Sequence, residues 1–244
     1  MFNGRSGESL SGTTLFFIML VVVDIAFVLI HAGLYLASKY YAVPDYTLFF
    51  INSDVGYPEK FQHIKIFWVV LLFAYISIKS GCYRYLSWFL LFFYFFIDDA
   101  LGFHEHVGGI VAVMLSFTPP FNLSTQDVGE FFVSACAGFV LFSILGNSYW
   151  RGGELFRKVS NDLLVLVAAL VFCGVVVDMI HSASEMGEMV RGALTIIEDG
   201  GEMVIVSAIL SYVYALALGK GQLDIYFHEK LIFPFLAQTR KYLQ

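Results

Sequence analysis

The chain has 244 residues, is 59% hydrophobic and 14% charged, and has a mean hydropathy of +0.76. Soluble domains carry about 25% charged residues, so an ordinary soluble enzyme is excluded and an all-α, polytopic membrane bundle is expected, with membrane lipid as its first partner. The net charge of −6 lies largely in acids within apolar segments, and no basic arm, zinc-finger spacing or RNA-binding signature accompanies it, which excludes a nucleic-acid partner.

Six transmembrane helices are predicted, each near the roughly 20 residues that a bilayer requires. The first covers about 13–38, too long for the apolar stretch of a signal peptide, and is expected to be retained. An outer loop over 39–62 carries the turn residues Pro44, Asp45, Asn52, Gly56 and Pro58. The second span is placed at about 63–80 and the third at about 84–107, through the aromatic run WFLLFFYFF and into FHEHVGG. That run reads mainly as lipid-facing surface, with Tyr94 one turn before Asp98. Residues 108–126, interrupted by Pro119-Pro120, suggest an interfacial or re-entrant segment. The remaining spans are placed at about 127–148, 160–187 and 192–218. Residues 1–219 then form one transmembrane domain and 220–244 a short cytoplasmic tail.

Positive charge orients the bundle. Ten Lys and Arg fall on the side of the N terminus, against Lys39, Lys60, Lys65 and Arg191 opposite, which places both termini in the cytoplasm. No eukaryotic targeting signal is visible, so a bacterial inner membrane is expected. Cys82, Cys136 and Cys173 form no paired framework and read as packing residues.

Seven carboxylates lie inside the predicted spans: Asp24, Asp98, Asp99, Asp178, Glu198, Asp199 and Glu202. No Lys or Arg accompanies them there; the candidate partners are His31, His104, His106 and His181. A central Asp costs roughly 2.5–3.5 kcal/mol to insert. Seven unpaired would cost about 20 kcal/mol, beyond a typical stability of about 5–15 kcal/mol, so most must be compensated or protonated. The inside-out topology brings these groups from four spans to a similar depth in the outer half of the bilayer.

Their spacing points to metal. Asp178, His181, Glu185 and Glu188 follow at steps of 3, 4 and 3, one helical face. Asp178 and His181 resemble in part the Glu-x-x-His pairs of helical di-iron proteins. Asp98 and Glu105 are seven apart, as are Asp99 and His106; Glu198 and Glu202 lie one turn apart across Gly200-Gly201. The segment around His104 is not HExxH, so the zinc-protease mechanism is not supported. The expected ligands are Asp99, His106, Asp178, His181, Glu198 and Glu202, with Asp24, His31, Asp98, His104, Glu105, Glu185 and Asp199 as supporting or alternate ligands.

Carboxylate with imidazole and no thiolate suits iron, manganese or zinc. The surplus of acids favours a two-metal site, iron first, with copper the choice if only the histidines converge. The function expected is a metal-dependent enzyme, oxidoreductase before hydrolase, acting on a lipid-soluble substrate. Two alternatives stay open: a divalent-cation or proton transporter, and a structural subunit of an oligomer or larger membrane complex.

Overall fold

The computed structural model describes residues 12–41, 46–115, 124–183 and 187–218, and these are all-helical. The elements are α1 (Gly12–Tyr40), α2 (Tyr57–Ser80), α3 (Tyr85–Leu101), α4 (Phe103–Leu115), α5 (Thr125–Trp150), α6 (Glu154–Val171), α7 (Asp178–Ala183), α8 (Glu188–Thr195) and α9 (Gly201–Ala217). Two π-helical segments, Phe172–Val177 and Ile196–Gly200, join α6 to α7 and α8 to α9. Five of the resulting continuous helices are long and apolar enough to cross a membrane, or six if the bent pair α3–α4 counts as one span.

Two boundaries differ from expectation. The second helix starts at Tyr57 rather than near 63: Gly56 is its extended N-cap, Pro58 sits in the first turn and Glu59 favours the positive helix start. The outer loop therefore shortens, and Lys60 moves from it into α2. The third predicted span is broken. Gly102 takes a left-handed conformation (φ 58°) that ends α3, and α4 leaves at 74°. α4 packs along α5 where Gly108 meets Gly129; a methyl group on Gly108 would stand 2.6 Å from the backbone nitrogen of Glu130. Ser124 opens α5 with a reciprocal cap, its Oγ accepting from Asp127 N–H while the Asp127 carboxylate accepts from Ser124 N–H. Pro119-Pro120, Glu185 and the tail from 219 lie outside the described residues.

The bundle is polarised along its length. Toward one end the C-terminal half of α2, the start of α3, α6 and the end of α9 enclose an apolar core around Phe73, Trp88, Phe92, Leu163, Ile209 and Val213. The aromatic run is thus divided: Trp88, Leu91 and Phe92 are core, Trp88 donating through Nε1 to Ser160 Oγ (3.0 Å), while Leu90 and Phe93 face outward. Toward the other end the same helices, with α1, α7 and α8, carry the acids and histidines.

Candidate metal centre

The first turns of α2 put Glu59 and His63 four residues apart on one face, and the last turn of α3 brings Asp99 against them. His63 Nε2 lies 3.2 Å from Glu59 Oε1 and 3.2 Å from Asp99 Oδ2. His63 is 8% exposed. Both contacts are ion pairs when the imidazole is protonated, and His63 Nε2 and Asp99 Oδ2 are buried. One ligand atom from each of the three residues lies within 4.8 Å of the others. Two ligands each about 2.1 Å from a single ion stand roughly 3.0–3.4 Å apart, so the two 3.2 Å separations match those of ligands sharing one cation.

The other orphaned atoms crowd the same place. Among the described residues, the buried side-chain polar atoms without a hydrogen bond are these two with Gln62 Oε1, Tyr94 Oη and His104 Nδ1. Gln62, Asp98, Asp99, His104 and Glu202 line one end of a cavity of about 180 Å³, whose walls include Ile66, Phe95, Leu170, Val171, Val175 and Val206. Gln62 Nε2 donates to Glu202 Oε2 (3.1 Å). Gly174 makes room for that carboxylate, since a methyl group there would collide with Glu202 Oε1. After the turn at Gly102, the backbone N–H of His104 donates to Asp98 Oδ1 (2.9 Å), and the His104 ring lies over the same oxygen with Nδ1 at 3.1 Å.

On the far side of Glu59 is a second cavity, about 470 Å³, lined by Asp54, Glu59, Asp178, His181, Glu198 and Asp199 among others. His181 Nδ1–H donates to Glu198 Oε2 (2.9 Å), which leaves Nε2 as the ring nitrogen with a lone pair. Both π-helical segments meet here: one runs into Asp178, the other carries Glu198 and Asp199. Such widened turns frequently occur at functional sites. The two cavities have no lining residue in common, but they adjoin across His63, which stands between Glu59 of the polar cavity and Asp99 of the smaller one.

The absence of a basic partner is corrected by Lys65. It is fully buried (0% exposed), as is Asp24 (0%). Lys65 Nζ donates to Asp24 Oδ1 (2.8 Å), Met203 O (2.8 Å) and Ser207 Oγ (3.1 Å), using all its donors, and Ser207 Oγ donates to Asp24 Oδ2 (2.5 Å). Asp24 is thereby committed to a lysine that the topology count had placed among the outside charges, at the edge of the predicted second span.

The remaining candidates fall elsewhere. His106 Nδ1–H caps Gly102 O (2.8 Å), and both His106 and Glu105 are exposed on α4, turned away with it at the 74° bend. The seven-residue spacings assumed a continuous helix that Gly102 interrupts. His31 Nδ1 accepts from Ile51 N–H (3.4 Å), stacks beside Tyr35 and lines a third cavity of about 500 Å³ with Arg191 and Glu188. The site thus joins Asp98, Asp99, His104, Asp178, His181, Glu198, Asp199 and Glu202. Sequence reasoning passed over Glu59 and His63, whose signal was a Glu-x-x-x-His step directly after Gly56 and Pro58.

Several helices long and apolar enough to cross a membrane, with a Glu59/His63/Asp99 group that could hold a metal, are compatible with a helical membrane metal-binding protein. The chain belongs to the family described as "Domain of unknown function (DUF8692)", whose model matches residues 15–216. No curated protein and no solved structure matches it.

Proposed function

We propose that the chain is an integral protein of a bacterial inner membrane that binds a divalent metal through Glu59, His63 and Asp99, and that it is a metal-dependent enzyme acting on a lipid-soluble substrate. Membrane residence is supported by the outward faces of the long helices, where Val22, Leu29, Phe139 and Ile78 are more than half exposed; apolar surface of that extent is unstable in water. The observation that carries the metal reading is the convergence of His63 Nε2 with one carboxylate oxygen each of Glu59 and Asp99, both 3.2 Å from the nitrogen and all within 4.8 Å of one another. Two carboxylates and one imidazole suit iron, manganese or zinc, iron being preferred because more acids stand close by.

A second ion belongs with Asp178 and His181. Glu198 orients the imidazole, as carboxylates do behind ligating histidines, and Asp199 lines the same cavity together with Glu59. The metal supplies Lewis-acid or redox chemistry; the chain holds it, and Glu202 and Asp199 offer carboxylates that can take a proton beside it. Oxidoreductase chemistry fits an acid-rich pair better than zinc hydrolysis.

The transporter reading is disfavoured by what lies beneath the site. The buried Lys65 ammonium stands between the acids and the rest of the bundle, followed by the packed core of Phe73, Trp88 and Phe92. A cation moving inward would meet a fixed positive charge and then a packed core whose buried serines Ser77, Ser87, Ser160 and Ser211 are already engaged in hydrogen bonds.

Elemental analysis of the purified protein tests the proposal. Near-stoichiometric iron, manganese or zinc is expected, with at least a tenfold loss of affinity in His63→Ala and Asp99→Asn. Full retention of metal in both variants, or no metal in the native protein, would sink it. His181→Ala should remove the second equivalent and leave the first.

A further inference from the structure

The triad divides two unlike spaces. Glu59 faces the polar cavity of Asp54, Asp178, His181 and Asp199, whereas Asp99 lines the smaller cavity walled by Ile66, Phe95, Leu170, Val171, Val175 and Val206. The smaller cavity is open, and Val171 at its wall is 39% exposed. Val171 lies ten residues before His181 in the continuous helix Glu154–His181, about 15 Å along its axis at 1.5 Å per residue, so the opening sits within the apolar band, where lipid rather than water is the neighbour.

The polar end of this cavity has a particular demand. Gln62 spends its amide N–H on Glu202 and leaves Oε1 without a donor, whereas Asp99 Oδ2 and His104 Nδ1 already stand against His63 Nε2 (3.2 Å) and Asp98 Oδ1 (3.1 Å). The unpaired Gln62 oxygen calls for a hydrogen-bond-donating head. Asp98, Asp99 and Glu202 repel an anionic one.

We propose that this cavity binds a long-chain alcohol: its apolar chain enters from the bilayer past Val171 and Val175, and its hydroxyl reaches Gln62, His104 and the metal-facing Asp99. This deepens the proposed enzyme reading by naming the substrate class, and it rests on that reading for the membrane placement alone. Water and protons reach the centre from the polar cavity, the alcohol from the lipid.

A photoreactive hexadecanol carrying a diazirine on its chain, used on the full chain in lipid vesicles, provides the test, with the matching methyl ether and carboxylic acid as comparisons. Expected is labelling of peptides containing Phe95 and Leu170–Val175 by the alcohol, at least fivefold above the ether and acid, and competed by unlabelled hexadecanol. Val175→Trp, which fills the cavity, should lower labelling similarly while metal content stays native; competition by hexadecanol gives the same answer without a variant. Equal labelling by all three probes, or labelling confined to outward residues such as Phe139 and Leu29, overturns the proposal. Metal bound without cavity labelling defeats this inference alone, and cavity labelling in a protein that holds no metal defeats the metal reading alone.

Discussion

At the scale of single residues, Lys65 shows how a charge at depth is made tolerable. Its ammonium is fully desolvated, yet each of its three donors meets an oxygen, and Phe61 lies 4.9 Å from it. Removing one partner of a buried pair leaves the other uncompensated and typically costs about 3–5 kcal/mol, whereas replacing both by apolar residues is often neutral. Lys65→Met is therefore expected to lower stability by about that amount, and Asp24→Leu with Lys65→Met to recover most of it. Thermal unfolding in detergent checks both; an unaffected single variant would refute the pairing. The pair was hidden in the sequence because Lys65 sits forty-one positions from Asp24, and near a predicted boundary a lysine reads as loop. Asp178 and His181, three residues apart on one helix, were legible for the opposite reason: helical periodicity alone puts them on a shared face.

At the scale of elements, glycines and widened turns decide which side chains meet. Gly102 turns α4 away from α3 and with it takes Glu105 and His106 out of the site while keeping Asp98 and Asp99 in it. Gly174, inside the π-helical segment before Asp178, leaves the space that the Glu202 carboxylate fills. Gly174→Ala should displace that flexible carboxylate and break its bond to Gln62 without loss of fold, since Ala favours a helix over Gly by roughly 0.5–1 kcal/mol. The expected outcome is weakened metal binding at unchanged or slightly raised melting temperature, read by titration and thermal unfolding on the same sample. Unaltered metal affinity would show that Glu202 has no part in the centre. Neither π-helical segment could be anticipated from residue spacing, because a 3.6-residue period assumes that no turn is widened.

At the scale of the whole molecule, the division between a packed apolar end and a polar, cavity-bearing end matches a one-sided membrane site. If both termini are cytoplasmic, Asn52 beside the polar cavity faces outward and Arg151 after α5 faces inward. In a variant lacking Cys82, Cys136 and Cys173, Asn52→Cys should react with a membrane-impermeant maleimide added to intact spheroplasts, and Arg151→Cys only after lysis. The reverse pattern would invert the topology and put the polar cavity on the cytoplasmic side.

Composition and periodicity by themselves determined that the chain is helical, that several of its helices are long and apolar enough for a bilayer, and that acids and histidines recur within those apolar segments, because these follow from local burial cost and helical rise. Tertiary structure alone decided which of those groups share a centre. It set His63 between Glu59 and Asp99, gave Asp24 to Lys65 and turned His106 outward, since each outcome depends on how two or three helices are rotated about their axes, and that rotation is set by packing across the bundle rather than by any one segment.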